Sequence, residues 1–147
     1  MNRMVLLRAL GVVCLFASAP PALAHGDEVH TAPHGGVMVT DGAMHFELVA
    51  DPKGGLKIYF SSADGNPLPA SAASEVAVEI EHPKARTEYV AMSIDRTGGF
   101  WRGNSQPLTD KGAVLHIGVV SQGRGALKDV PASQVIAAMN NAGHHGH

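Results

Sequence analysis

The sequence predicts a small antiparallel, immunoglobulin-like β-sandwich of six or seven strands. Three observations lead there. Short segments with an apolar residue at every second position recur from Val37 onward. Clusters of Gly, Asp, Asn and Pro separate them at short, fairly even intervals. Helical spacing shows in one place only, near the end of the chain. Many short alternating strands in one chain of this size bury their apolar faces most simply by stacking two sheets.

The chain opens with a segment to be set aside. Arg3 and Arg8 precede the apolar run "ALGVVCLFASA", and Ala22 and Ala24 form a small-x-small cleavage site, so residues 1–24 read as a secretory signal. The run is too short to cross roughly 30 Å of hydrocarbon. Cys14 lies mid-run behind the bulky Val13, which argues against a lipid anchor. Cleavage would leave 123 of the 147 residues, with His25 first and no cysteine for a disulfide or a thiolate ligand. A periplasmic location and no membrane span after cleavage are the expectation. Two of the 11 Lys and Arg lie in the signal while none of the 13 Asp and Glu do, so the rest is mildly acidic. That balance points away from nucleic acid and from anionic membrane surfaces.

The elements follow in order. "VMVT" ends at Asp41-Gly42, a two-residue hairpin signal, and "MHFELVA" returns with period-two alternation. "LKIYF" puts Leu56, Ile58 and Phe60 on one face, and "SADGNPLP" is a turn. "EVAVEIE" faces Val76, Val78 and Ile80 inward, and "TEYVAMSI" continues the pattern through Val90, Met92 and Ile94 as one strand. "DRTGG" turns the chain, "FWRG" is a short strand, and "AVLHIGVV" aligns Leu115, Ile117 and Val119. In "PASQVIAAMNNAG", Val135, Ile136 and Met139 make a helical stripe, with Pro131 in a first turn and a stop at Asn141–Gly143; an edge strand is the alternative. The resulting division is a signal at 1–24, a flexible histidine-bearing leader at 25–33, a sandwich at 34–141 and a flexible histidine-rich tail at 142–147.

Histidine is where the chemistry concentrates. Neutral imidazole is the commonest protein ligand for late first-row divalent metals. The leader "HGDEVHTAPHGG" holds His25, His30 and His34, and the tail "GHHGH" holds His144, His145 and His147. After cleavage His25 would also offer its α-amino group, but Asp27 in third position removes the amino-terminal copper motif that requires histidine there. The plain alternative is a polar leader and tail whose histidines do nothing.

The hairpin offers a better-ordered set. With Asp41 and Gly42 as the turn, Thr40 opposes Ala43, Val39 opposes Met44 and Met38 opposes His45. His34, Met38, His45 and Glu47 then share one face. His34 lies four residues before Met38, roughly 13 Å along an ideal strand, so a regular ladder keeps it away unless Gly35 and Gly36 fold it back. Otherwise Met38 is core and His45 a solvated strand residue. His116 points outward from its strand and His82 ends another; both read as surface residues.

"HGG…DGAMHFELV…LKIYF…ADGNPLPAS", from about Pro33 to Ala70, resembles small periplasmic domains associated with heavy-metal resistance. It is similar to the opening of the periplasmic adaptor subunits of heavy-metal efflux pumps. "GGFWRG" and "KGAVLHIGV" resemble the ending of immunoglobulin-like bacterial domains. The resemblance implies metal contact at His34, His45 and Glu47, and a component of an efflux pump as partner. The histidines of 25–30 and 144–147 are not part of that motif.

No catalytic signature is present: no G-x-S-x-G elbow, no phosphate loop and no H-E-x-x-H. The expectation is a non-enzymatic protein that binds a transition-metal ion, copper first and zinc next with nickel or cobalt open, and that buffers it or delivers it to an efflux system. The rival is an interaction module that docks through an exposed strand edge, its histidines incidental.

Overall fold

A computed structural model describes residues 32–42 and 44–143. Among these residues, ten strand segments form two antiparallel sheets, and one helix follows. The strands are β1 (Val37–Asp41), β2 (Met44–Ala50), β3 (Gly55–Ser62), β4 (Pro67–Leu68), β5 (Glu75–Glu81), β6 (Glu88–Val90), β7 (Ser93–Ile94), β8 (Trp101–Asn104), β9 (Val114–Ser121) and β10 (Arg124–Pro131). A 3-10 turn (Ala70–Ala72) lies between β4 and β5, and α1 (Ala132–Ala142) follows β10. The first sheet runs β1-β2-β3-β8-β7, with β4 paired to β3; the second runs β10-β9-β5-β6.

The alternation in the sequence lands where it should. Phe46, Leu48, Leu56, Ile58 and Phe60 of the first sheet face Val76, Val78, Ile80, Leu115, Ile117 and Val119 of the second, all of them buried. Each such side chain taken out of water contributes about 1.5–3 kcal/mol, which a chain without a disulfide among these residues relies on. Trp101 plugs one part of this core, and its indole N–H donates to the Ala70 carbonyl at 2.9 Å, satisfying its one polar atom. In α1 the buried residues are Ala132, Val135 and Ile136, with Met139 packed against the core. The terminal helix of the sequence reading is therefore present, although Pro131 caps it rather than occupying its first turn. No helix among the described residues is long and apolar enough to cross a membrane.

The strand count exceeds six or seven for identifiable reasons. "TEYVAMSI" is not one strand: β6 pairs with β5 in the second sheet, whereas β7 pairs with β8 in the first. The chain changes sheets at Ala91-Met92, which leaves Val90 buried but Ile94 42% exposed. β10 was not expected at all. It follows a tight turn in which Gln122 (φ 50°) and Gly123 (φ 74°) both take left-handed backbone, the geometry that matches strand twist in a two-residue hairpin.

The β1–β2 hairpin also closes one residue later than the sequence suggests. Asp41 pairs with Met44, so Thr40 opposes His45 and Met38 opposes Glu47. Met38 is thus diagonal to His45, not opposite it. The sliding displaces each partner by two positions, and two positions preserve the face. Met38, His45 and Glu47 stay on the same side of the sheet.

Candidate functional site

The site begins with a buried charge. Glu47 on β2 is only 2% exposed, and a carboxylate so placed must be hydrogen-bonded. Four contacts converge on it. The His34 backbone N–H lies 2.9 Å from Oε1 and 3.2 Å from Oε2, the Gly36 N–H donates to Oε1 at 2.8 Å, and the His34 ring Nδ1 lies 2.8 Å from Oε2.

The His-Gly-Gly sequence makes this possible. Gly35 has φ +76°, and its N–H donates to the Ala32 carbonyl at 3.1 Å, so the chain turns back just before β1. The backbone N–H groups of residues 34 and 36 then point into one anion-binding concavity. Gly36 has no room for a side chain, because a Cβ there would meet the Leu48 carbonyl oxygen and Val49. The two glycines fold His34 back to the face it could not reach along a regular strand.

An ionised carboxylate only accepts hydrogen bonds, so the proton in the ring contact belongs to Nδ1 of His34. In the neutral ring Nε2 is then the nitrogen with the lone pair. The His34 side chain is 45% exposed, and its ring stacks on Tyr59 with centroids 3.7 Å apart and planes 8° from parallel. Glu47 behind and Tyr59 beside it fix the imidazole in orientation and in tautomer. Burial raises the Tyr59 phenol pKa, and the negative charges of Glu47 and Asp95 raise it further, so Tyr59 acts here as a neutral aromatic wall. Phe100 supports it, with ring centroids 5.0 Å apart.

The remaining face builds a cavity of about 410 Å³ lined by Pro33, His34, Met38, His45, Glu47, Tyr59, Phe60, Ser61, Gly65 and Pro67. Ser61 opposes His45 across β2–β3, as Tyr59 opposes Glu47. His45 is buried, at 6% exposure, and is not the solvated strand residue of the plainer expectation. The four residues predicted to share a face, His34, Met38, His45 and Glu47, do line one cavity. Among the described residues, however, no group of three or more His, Cys, Asp or Glu side chains is arranged to hold a metal ion. His25, His30, His144, His145 and His147 lie outside the described residues.

Tyr59 was missed from the sequence. The signal was available: Lys57, Tyr59 and Ser61 alternate with the core residues of β3, and one more step of strand pairing sets Tyr59 against Glu47.

The two other described histidines, His82 and His116, do not line this cavity. His116 on β9 is held by Asp129 of β10 (Nδ1, 2.7 Å) and Glu81 of β5 (Nε2, 3.1 Å). Those two carboxylates raise its pKa, Asp129 more than Glu81, against a smaller opposing effect of desolvation. His82 lies 4.0 Å from Asp110.

No family model matches the chain, and no curated protein or solved structure matches it either.

Proposed function

We propose that this is a periplasmic metal-binding protein that buffers a late first-row transition-metal ion or hands it to an efflux system, with His34 as the oriented ligand. The observation that carries the reading is the Glu47–His34 contact at 2.8 Å. A metal-binding histidine usually donates its other ring N–H to a carboxylate or carbonyl, which fixes the ring and makes it a better donor. Here that arrangement stands ready, with Nε2 of a half-exposed ring directed away from a buried carboxylate. Glu47 is then the orienting group and not a ligand, since its oxygens already accept from backbone and ring. Met38 and His45 line the same cavity, which puts a thioether and a second imidazole on its wall. Copper suits nitrogen and thioether donors best and leads; zinc follows. The signal-like residues 1–24 and the resemblance at Pro33–Ala70 support the compartment and the efflux connection.

One observation favours the second reading. Leu127 on edge strand β10 is 70% exposed, and an open edge with an apolar side chain suits docking to a partner strand.

Calorimetry with copper(II) and with zinc on the full chain, His34→Ala and Glu47→Gln decides between them. Loss of the orienting carboxylate should weaken binding about 10–100-fold, and loss of the imidazole should remove the tightest site. Because an imidazole must give up its proton to ligate, binding should weaken as the solution is acidified. No binding by the full chain at pH 7.5 would leave the interaction module as the better reading.

A further inference from the structure

The second sheet turns one face to the core and the other to water. Its outward positions follow from the register. Leu127 opposes Gly118, which opposes Ala77, and the next row across the sheet is Asp129, His116, Glu79 and Tyr89. Glu75 and Glu81 stand on the same side of β5, alternating with the buried Val76, Val78 and Ile80. The four carboxylates Glu75, Glu79, Glu81 and Asp129 therefore share this face. None of the outward positions of β5, β6, β9 and β10 carries Lys or Arg.

The cations of β10 go the other way. Lys128 reaches Asp41 at 2.8 Å, and Arg124 lines a different cleft with Asp41 and Gly42. His116 is the basic group of the outward row, its ring nitrogens 2.7 Å from Asp129 and 3.1 Å from Glu81. Even doubly protonated, it is outnumbered by the carboxylates. The side chains of Asp129 and Glu81 keep 64% of their surface in water. Each carboxylate has two oxygens, so both can accept further hydrogen bonds.

The same face is apolar in places. Two of the three exposed large apolar side chains among the described residues lie on it, Leu127 at 70% and Tyr89 at 75%. They stand on the outer strands β10 and β6, at opposite margins of the sheet. Beside Leu127 runs a groove of about 300 Å³ whose walls include Glu75, Ala77, Gly118, Val120 and Gly125. The bareness of Gly118 has no cause within the chain. Its backbone is not left-handed, and a Cβ there would make only ordinary contacts with Ala77, at 3.8 and 3.9 Å. Glycine inside a strand weakens it, and one so placed often marks a spot where a ligand or another backbone approaches closely.

We propose that the outer face of the second sheet docks a basic, extended segment of a partner protein. One apolar side chain of that segment sits over Gly118 beside Leu127, and its lysines or arginines meet the carboxylates of β5 and β10. Tyr89, at the far margin, offers a ring face to a further cation. Charge decides the occupant. A second copy of this chain would set the same carboxylates against one another, whereas a basic segment complements them. The contact uses the face of the sheet and not the open edge of β10, and it stands whether or not His34 holds a metal ion.

Titration of the full chain followed by ¹H–¹⁵N NMR tests it. The ligand is a short peptide of alternating lysine and leucine, and a glutamate–leucine peptide is the control. The lysine peptide should shift the amides of Ala77, Gly118 and Leu127, and the control should shift none of them. Its affinity should fall with added salt, which screens exposed charges. Gly118→Val fills the groove without entering the core and should weaken binding about tenfold or more. Glu75→Gln combined with Glu79→Gln leaves the His116 contacts in place, and should weaken binding and flatten its salt dependence. Near-ultraviolet circular dichroism, which reads the buried Trp101, checks each fold, and His34→Ala should leave the titration unchanged. If the lysine peptide shifts nothing on this face, or binds folded Gly118→Val as well as the wild type, the docking face is wrong. If both peptides bind alike, the contact is unselective and the proposal fails. If the same amides shift as the protein alone is concentrated, the face joins two copies of this chain and the basic partner is wrong.

Discussion

Gly36 carries more of the site than its size suggests. Its N–H is one of the donors that hold Glu47, and a Cβ there would run into the Leu48 carbonyl oxygen and Val49. Gly36→Ala should therefore cost about 1–3 kcal/mol, the range for forcing extra atoms into a packed position. It should also weaken metal binding, because the loop that aims His34 must shift. Parallel thermal melts and zinc titrations check this; full stability together with full affinity would show that the loop tolerates the change and does not position the ring. Much of this was legible at residue level. Alternation alone put Met38, His45 and Glu47 on one face, and the pair of glycines before β1 signalled a fold-back. The role of Glu47 was not legible. The resemblance implies metal contact there, and only the left-handed Gly35 brings two backbone N–H groups and a ring nitrogen onto its oxygens, the arrangement on which the proposed orienting role rests.

At the scale of the element, His116 ties three strands of the second sheet together: β9 carries it, β10 supplies Asp129 and β5 supplies Glu81, with Glu79 directly opposite in register. Its pKa is raised in the folded state by these carboxylates. Protonated His116 therefore stabilises the fold fully below the unfolded value of about 6.5, and that contribution disappears as pH rises through the higher folded value. Urea unfolding from pH 6 to pH 9 should show the wild-type chain losing stability on this account, while His116→Gln lacks that part of the slope. Identical slopes for the two proteins would mean that the His116 contacts do not persist in solution. The strands that sequence reading handled poorly are the ones whose pattern answers to more than one neighbour. "TEYVAMSI" alternates throughout, yet its two halves serve different sheets, and alternation does not report which sheet a strand joins. β10 is an edge strand in which Val130 alone is buried, so its inward face never formed a visible stripe; the better clue was Gln122-Gly123 between two extended runs.

For the whole molecule, the two-sheet sandwich was readable because most of its strands have one buried face, and Leu56, Ile58, Phe60, Val76, Val78, Ile80, Leu115, Ile117 and Val119, aligned by alternation in the sequence, are all buried. What was not readable was that α1 packs against β1, β2 and β10 and ends at Gly35. That meeting depends on the length of the helix and on the sandwich between, and it brings together segments more than a hundred residues apart in sequence. The molecule thus presents one end where the loop before β1, the cavity of about 410 Å³ and the end of α1 adjoin. The central claim is that His34, held by Glu47 through Nδ1, offers Nε2 to a metal ion. Long-range ¹H–¹⁵N NMR of the imidazole nitrogens tests it most directly, because it reports the tautomer of each ring and the nitrogen a metal binds. The account predicts that His34, assigned by its loss in His34→Ala, carries its proton on Nδ1 in the metal-free chain, and that one equivalent of zinc shifts its Nε2 resonance while Nδ1 stays protonated. A His34 ring with its proton on Nε2, or an Nε2 resonance unmoved by zinc, would contradict it.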